Sequence, residues 1–542
     1  MENAVLIDIV RAENEQLRAE NAALKSHIAE MESKINWLIE LVAGNKQKMY
    51  GVSSEKTAYS DGSTQLAFLE DDNTTEIKVF DSTEESSSKT DKKRPKKQSE
   101  LLKKLPADIP KETVTYELPI DKRDCPVCDE KMKSIGKEIV RRDLKFYPAK
   151  AVIVEFEQYS YICENDDCER TSNVTGQPVP VIVKAELPPQ VIKGSMCAPE
   201  TVAHIVVEKC IMGSPIYRQE AQWNRLGIPI ARQTMGDWVI RCSEKYFEPI
   251  YDELHKRLLM HKFLHSDGTT FQVLREPGKT PQSESCMWIY RTSGDAKHPI
   301  VFYEYQPDKK QERVNSFLDG FSGYLMTDGA VSYRRLPDDV IIVGCMSHCR
   351  RYFYDALKVM KNTEEQKGSL ALTGKEYCDK LFDIERDIKD KSFEERYEIR
   401  NQKAAPILKE FLTWLMSVQP HVAPKSKIGK AVDYALRQWK YLERYLLDGR
   451  IEISNNRCER SVKPFVINRK NFLFAVSVAG AKATAVFHTI TETAKESGLN
   501  PFEYISHVLR TAAGVNLREN PELIIDLLPE NAPESCKVSV RD

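Results

Sequence analysis

The stretch HKFLHSDGTTFQVL, His261 to Leu274, decides how the rest of the chain is read. It reads as a β-strand ending near Asp267, where polar groups of an α/β sheet collect. ESCMWIYRTS and HPIVFYEYQ follow as two more strands, rich in β-branched and aromatic residues. KQERVNSFLDGF then reads as a helix, GYLMTDGAVSY as a strand ending at Asp328, and VIIVGCMSH as a further strand. Three consecutive strands followed by helix, strand, helix and strand predict a mixed α/β sheet.

Downstream, residues 349–444 are helical by period and charge and read as an all-α insertion. The chain returns to the core with EISNNRCERSVKPFVINRK, Glu452 to Lys470. Ser454 or Asn455 is a good N-cap, which places Glu459 in the first turn or two of a helix. This one acid sits among Arg457, Arg460, Lys463, Arg469 and Lys470. Convergence of Asp267, Asp328 and Glu459 would suit a pair of divalent cations, because two metals about 3.5–4 Å apart clamp an in-line phosphoryl displacement. The neighbouring cations would then hold phosphates that bare carboxylates repel. The plainer reading is equally open to the residues alone. Asp-Gly pairs are ordinary turns, and Glu459 with Lys463 is an i,i+4 ion pair on an exposed helix.

Upstream, residues 186–258 read as helices punctuated by Gly213, Pro215, Gly227 and Pro229, a helix-turn-helix-like arrangement. Before them, Cys125-Pro-Val-Cys128 and Cys163-Glu-Asn-Asp-Asp-Cys168 offer four thiolates, with alternating, strand-like sequence between them. That is a small zinc ribbon over 106–185 with one structural zinc ion, since four protein ligands leave no open position. Residues 49–105 are polar, acidic and then basic, and read as a flexible linker. In residues 1–48, Val10, Leu17, Leu24, Met31 and Leu38 share one heptad position, with Ile7, Asn14, Asn21, Ile28, Ile35 and Val42 on its partner. This predicts a coiled coil and at least a dimer, the asparagines favouring a parallel register.

The 542 residues carry a net charge of −2, so any polyanion site must be local. Thirteen cysteines, mostly scattered, suit a reducing compartment. No run of 18 apolar residues and no signal-peptide pattern occurs, so a soluble, cytoplasmic protein without a membrane partner is expected.

Several of these segments together resemble the transposases of the insertion sequence 66 family. MYGVSSEK, LPADIP with the cysteine quartet, PIYRQEAQWNRLGIPIARQTMGDWV, GYLMTDGAVSY, HCRRYF and NNRCERSVKPFVINRKNFLF occur in the family's order. The resemblance implies a multidomain protein. It has a leucine zipper, a zinc-binding domain and a helical DNA-binding region. Its DDE catalytic core is of ribonuclease-H-like fold, formed here by 259–348 and 445–515, with residues 516–542 as a tail. It also implies Asp267, Asp328 and Glu459 as catalytic ligands of two Mg²⁺ or Mn²⁺ ions, with His348 and Arg351 beside the phosphates. Terminal inverted repeats and target DNA would be the substrates, with small accessory proteins as further partners. The chain departs from the family where D-E-T becomes Asp267-Gly268-Thr269, where Ser454 replaces an Asp, and where C-W-A-H becomes Cys345-Met346-Ser347-His348. A zinc-containing DNA-binding protein with a dead core, and a metal-dependent nuclease without strand transfer, are the competing readings.

Overall fold

The computed structural model describes residues 187–538 apart from 334 and 361–365, together with short pieces before them. Among those pieces, residues 16–18, 20–21, 24–25 and 31 are helical, and Leu17, Leu24 and Met31 are exposed. The remainder of the predicted coiled coil, the linker and the four cysteines expected to bind zinc lie outside the described residues. Four short strands, β1 (Ser160–Ile162), β2 (Glu169–Thr171), β3 (Pro178–Pro180) and β4 (Ile182–Lys184), form two nested antiparallel pairs. β1 pairs with β4 and β2 with β3.

Residues 190–538 fold around one mixed sheet. Four helices come first: α1 (Pro199–Cys210), α2 (Ile216–Arg225), α3 (Arg232–Cys242) and α4 (Glu248–Leu259). A π-helical turn, Ser243–Phe247, joins α3 to α4. Their apolar stripes, including Val202, Ile205, Trp238, Phe247, Ile250 and Leu254, recur at helical spacing. They bury against Leu264, Trp288, Tyr290 and Phe302 of the sheet.

The sheet contains β5 (Phe263–Arg275), β6 (Glu284–Thr292) and β7 (Val301–Gln306) as an antiparallel meander. After α5 (Gln311–Phe317), β8 (Gly323–Thr327) and β9 (Val340–Gly344) add in parallel, giving the order β7-β6-β5-β8-β9. The strand expected to stop near Asp267 instead continues to Arg275. Cross-strand pairing with β6 extends to Gln272 opposite Glu284, and that ladder carries the strand through the Asp-Gly step.

The chain then leaves the sheet as α6 (Met346–Leu357), α7 (Leu370–Asp387), α8 (Phe393–Ile399), α9 (Ala405–Val418) and α10 (Lys427–Leu442). This helical insertion has its own aromatic centre. The Phe411 ring lies 5.0 Å from Tyr377, 5.9 Å from Trp414 and 5.5 Å from Trp439. Arg400, fully buried, is tied to Glu385 through Nε and Nη2 at 2.7 and 2.6 Å, and donates to the carbonyls of Tyr445 and Asp448. A buried cation is tolerable only with such complete pairing.

On its return the chain forms α11 (Asn456–Phe472), β10 (Ala475–Ser477) and α12 (Val478–Glu496). β10 pairs in parallel with the far end of β5. Edge strands expose unpaired backbone groups and need covering. Here Thr489 and Thr493, one turn apart on α12, accept the backbone N–H of Tyr303 and Val301 in β7 at 2.9 and 3.1 Å. α13 (Pro501–Ala512) closes the fold, and α14 (Pro521–Asp526) follows. The segment expected as a tail, residues 516–542, is packed as far as Val538. Leu517, Leu527, Leu528 and Cys536 are buried, and Asn500 N–H donates to the Cys536 carbonyl at 2.7 Å. Scattered apolar residues anchor it, a pattern too sparse to show any period. Among the described residues, no helix is long and apolar enough to cross a membrane.

Candidate active site

Strand register brings the first two acids together. In the parallel pair β5–β8, Phe263 lies opposite Tyr324, and His265 opposite Met326. Continuing that register by two residues sets Asp328, just past the end of β8, beside Asp267. Neighbouring strands are about 4.8 Å apart and side chains alternate faces. Both acids therefore stand on the face that carries Phe263 and Met326. Two bare carboxylates about 5 Å apart repel by roughly 3 kcal/mol at an effective dielectric of 20. Asp267 registers this: burial, then Asp328, then Glu459 push its carboxyl up to about 7, partly offset by its Gly268 hydrogen bond and by Lys309.

The third acid comes from α11, which crosses the same face. Odd-numbered residues of β5 meet α11 in sequence: His265 contacts Asn455, the residue capping the helix, and Phe271 packs edge-on against Phe465 at 5.2 Å. Asn455 is the hinge pin of the site. It is fully buried, and its Nδ2 donates to the Ser266 carbonyl at 2.9 Å. Its Oδ1 therefore accepts, and His265 Nδ1–H is the donor at 3.0 Å. Its backbone N–H reaches Cys345 Sγ at 3.1 Å, at the start of α6. One side chain and one amide thus lock β5, α6 and α11 together one turn before Glu459. The expected side-chain N-cap bond is absent from Asn455 because its amide is spent on β5.

Glu459 does not pair with Lys463. Its partners come from α6: Arg351 Nη2 lies 3.2 Å from Oε2, and His348 Nδ1 lies 3.6 Å from Oε1. Glu459 Oε1 and His348 Nδ1 are both buried without a hydrogen-bond partner. Burial holds the His348 imidazole below its ordinary pKa, against the pull of Glu459. Cys345, His348 and Glu459 present ligand atoms within 4.8 Å of one another. Burial pushes the Cys345 thiol up to about 12, so it stays protonated at neutral pH. A carboxylate oxygen without a hydrogen-bond partner beside an imidazole nitrogen fits divalent-cation chemistry.

The loop carrying Asp328 is held from three sides. Ala330 N–H donates to Asp328 Oδ1 at 2.9 Å, Tyr434 Oη of α10 donates to the Asp328 carbonyl at 3.1 Å, and Tyr333 Oη bonds Ser266 Oγ at 2.9 Å. Gly329 adopts φ +84°, where a Cβ would also meet the Gln438 side chain at 2.9 Å.

The basic residues divide. Arg457 Nε is paired with Glu452 at 2.6 Å. Arg469 donates to Thr269 Oγ1 at 3.0 Å and to the Thr270 carbonyl, stapling β5 where β8 has ended and β10 has not yet begun. Arg460, Lys463 and Lys470 point outward, exposed. Sequence reasoning missed Lys309 and Tyr333 near the acids and the crosslinking role of Asn455. The Asn-Asn doublet one turn before the acid was the available signal for the last.

Gly268 also has a packing explanation. An added Cβ would sit 2.8 Å from Trp288 Cε3, so the indole occupies the space that a Glu at this position would need. Gly268→Glu should cost at least the roughly 1–3 kcal/mol of overpacking, read as a lower Tm. The cost should shrink in a Trp288→Phe background, and an equal cost in both backgrounds would refute the steric account.

Residues 194–483 match the family model described as Transposase IS66 family, and residues 37–114 match one described as Transposase C of IS166 homeodomain. Three similar proteins come from Sinorhizobium fredii (strain NBRC 101917 / NGR234). The uncharacterized protein y4qI is 30% identical over 345 residues, 61% of this chain and 62% of that protein. The uncharacterized protein y4jD is 28% identical over 418 residues, 75% and 77% of the two chains. The uncharacterized protein y4hP is 26% identical over 431 residues, 76% and 74%.

Proposed function

The chain belongs to the IS66 family of transposases, and on that premise we propose that it cuts and rejoins DNA at Asp267, Asp328 and Glu459. The observation that supports this reading is the β5–β8 register, which, continued two residues beyond His265 opposite Met326, sets Asp328 beside Asp267, with Asp328 and Glu459 both raising the pKa of Asp267. The mixed sheet, an antiparallel meander extended by parallel strands with helices on both faces, supports the ribonuclease-H-like assignment. The three acids would hold two Mg²⁺ or Mn²⁺ ions. Such ions supply Lewis-acid neutralisation of phosphate oxygens and a lowered pKa for an attacking water.

The remaining work falls to the chain itself. Asn455 and Tyr333 keep β5, α11 and the Asp328 loop in register. Arg351 orients Glu459 through Oε2. Exposed Arg460, Lys463 and Lys470, with Lys309, provide cations for the DNA backbone. Water attacks first at the end of the element; the 3′-hydroxyl so released then attacks target DNA in line, and the target's own 3′-oxygen leaves. The test is a strand-transfer assay with Mg²⁺ or Mn²⁺, a duplex carrying the terminal inverted repeat, and a target plasmid. Joined product is expected. Cleavage without joining would replace this reading with that of a nuclease, and no cleavage with intact binding would leave a DNA-binding protein.

Cys125, Cys128, Cys163 and Cys168 are assigned to one structural zinc ion. Elemental analysis of the full-length protein should return one zinc per chain. Cys125→Ser should lose it and weaken end binding, and a full zinc complement in that variant would remove the quartet.

A further inference from the structure

We propose that His348 is a direct nitrogen ligand of the divalent ion held by Glu459, making that position one of mixed oxygen and nitrogen donors. The inference rests on the active-site reading above and adds to it a residue outside the acid triad. It starts from two orphaned atoms. Glu459 Oε1 and His348 Nδ1 are each buried without a hydrogen-bond partner. Buried polar atoms are seldom left so, and each one asks for an explanation. They face each other at 3.6 Å, beyond hydrogen-bond reach. Two atoms each about 2.1 Å from a shared ion lie at most about 4.2 Å apart, so this separation is one an ion can span.

The surroundings divide the labour of the carboxylate. Arg351 occupies Oε2 at 3.2 Å, which leaves Oε1 as the oxygen turned to the imidazole. Cys345 is the other candidate donor in the cluster, but its sulfur already accepts the Asn455 N–H and is fully buried. It anchors the start of α6. His348 lies three residues along from it, in the first turn of that helix, on the side facing α11.

A nitrogen donor changes which ions the site prefers. All-oxygen sites suit Mg²⁺, whereas imidazole raises affinity for Mn²⁺ and the later first-row metals. The expected consequence is a Mn²⁺ over Mg²⁺ preference that depends on His348.

The experiment uses the full-length protein loaded with Mn²⁺ and examined by pulsed electron paramagnetic resonance. Modulation from a coordinated ¹⁴N is expected, converting to the ¹⁵N pattern when histidine is ¹⁵N-labelled, a comparison that needs no substitution. His348→Gln should abolish the nitrogen coupling and weaken Mn²⁺ binding about tenfold or more. It should leave Mg²⁺ affinity much less changed and Tm near the parent value. Saturable Mn²⁺ binding that Asp267→Asn disrupts, but with no nitrogen coupling, would overturn the role of His348 and leave the acid site standing. Coupling that survives His348→Gln would overturn it equally. Absence of any saturable Mn²⁺ binding would sink the active-site reading and this inference with it.

Discussion

Asp267→Asn protein should bind the element's ends as the parent does and fail to cut them. The substitution keeps the shape and the Oδ1 acceptor for the Gly268 N–H, 2.7 Å in the parent, and removes one negative charge. Loss of a carboxylate that would hold a catalytic cation is worth several kcal/mol of transition-state stabilisation. That is about three decades of rate or more, at 1.36 kcal/mol per decade. Asp328→Asn and Glu459→Gln should behave alike, because the three act as a unit and single losses are not additive. The same change should relieve the carboxylate crowding, so Tm in the absence of metal should hold or rise. Cleavage by any of the three at near-parental rate would mean that the acid in question is not a ligand.

The second large effect belongs to a residue that touches no substrate. Asn455→Ala removes the bonds to the Ser266 carbonyl and His265 Nδ1, leaving two buried groups unpaired. Each costs about 1–3 kcal/mol, so roughly 2–6 kcal/mol of stability should go. At about 2–4 °C per kcal/mol for a domain of this class, the melting temperature falls visibly. Activity should fall on the order of 100-fold even below the new melting temperature, since a shift of about 1 Å in a catalytic group has that effect. Glu459 sits one helical turn from the lost crosslink and should show it. Asn455→Asp, which keeps the acceptor for His265 but loses the donor to Ser266, should lie between parent and alanine variant in stability. A parental Tm and rate in Asn455→Ala would show that β5 and α11 find their register without this amide.

The elements of the core were legible because each is encoded locally. β-Branched and aromatic runs marked β6 and β7, and glycine and proline punctuated α1 to α3. The acids at Asp267 and Asp328 were visible as strand-associated, and Glu459 as an early helical residue. Less legible was the fate of individual cations. Arg457 and Arg469 look like Arg460 in the sequence, yet the fold commits the first to Glu452 and the second to β5. Nothing in a helical period distinguishes an arginine facing a strand from one facing solvent when both lie on the flank of the buried stripe.

The amino-acid order alone determined the kinds of element, the spacing of the cysteine pairs and heptads, and which residues were candidates for chemistry. These follow from backbone preferences and side-chain periodicity, which act over a few residues. Only the tertiary structure decided that β5 runs on past Asp267, that the β5–β8 register leads Asp328 toward it, and that Glu459 turns to Arg351 and His348 instead of Lys463. Those outcomes depend on the register between strands tens of residues apart and on helices more than 100 residues apart, Arg351 and Glu459 among them. Such register is set by mutual burial and by the pairing of buried polar groups, with Asn455 at the centre, and no local pattern contains it.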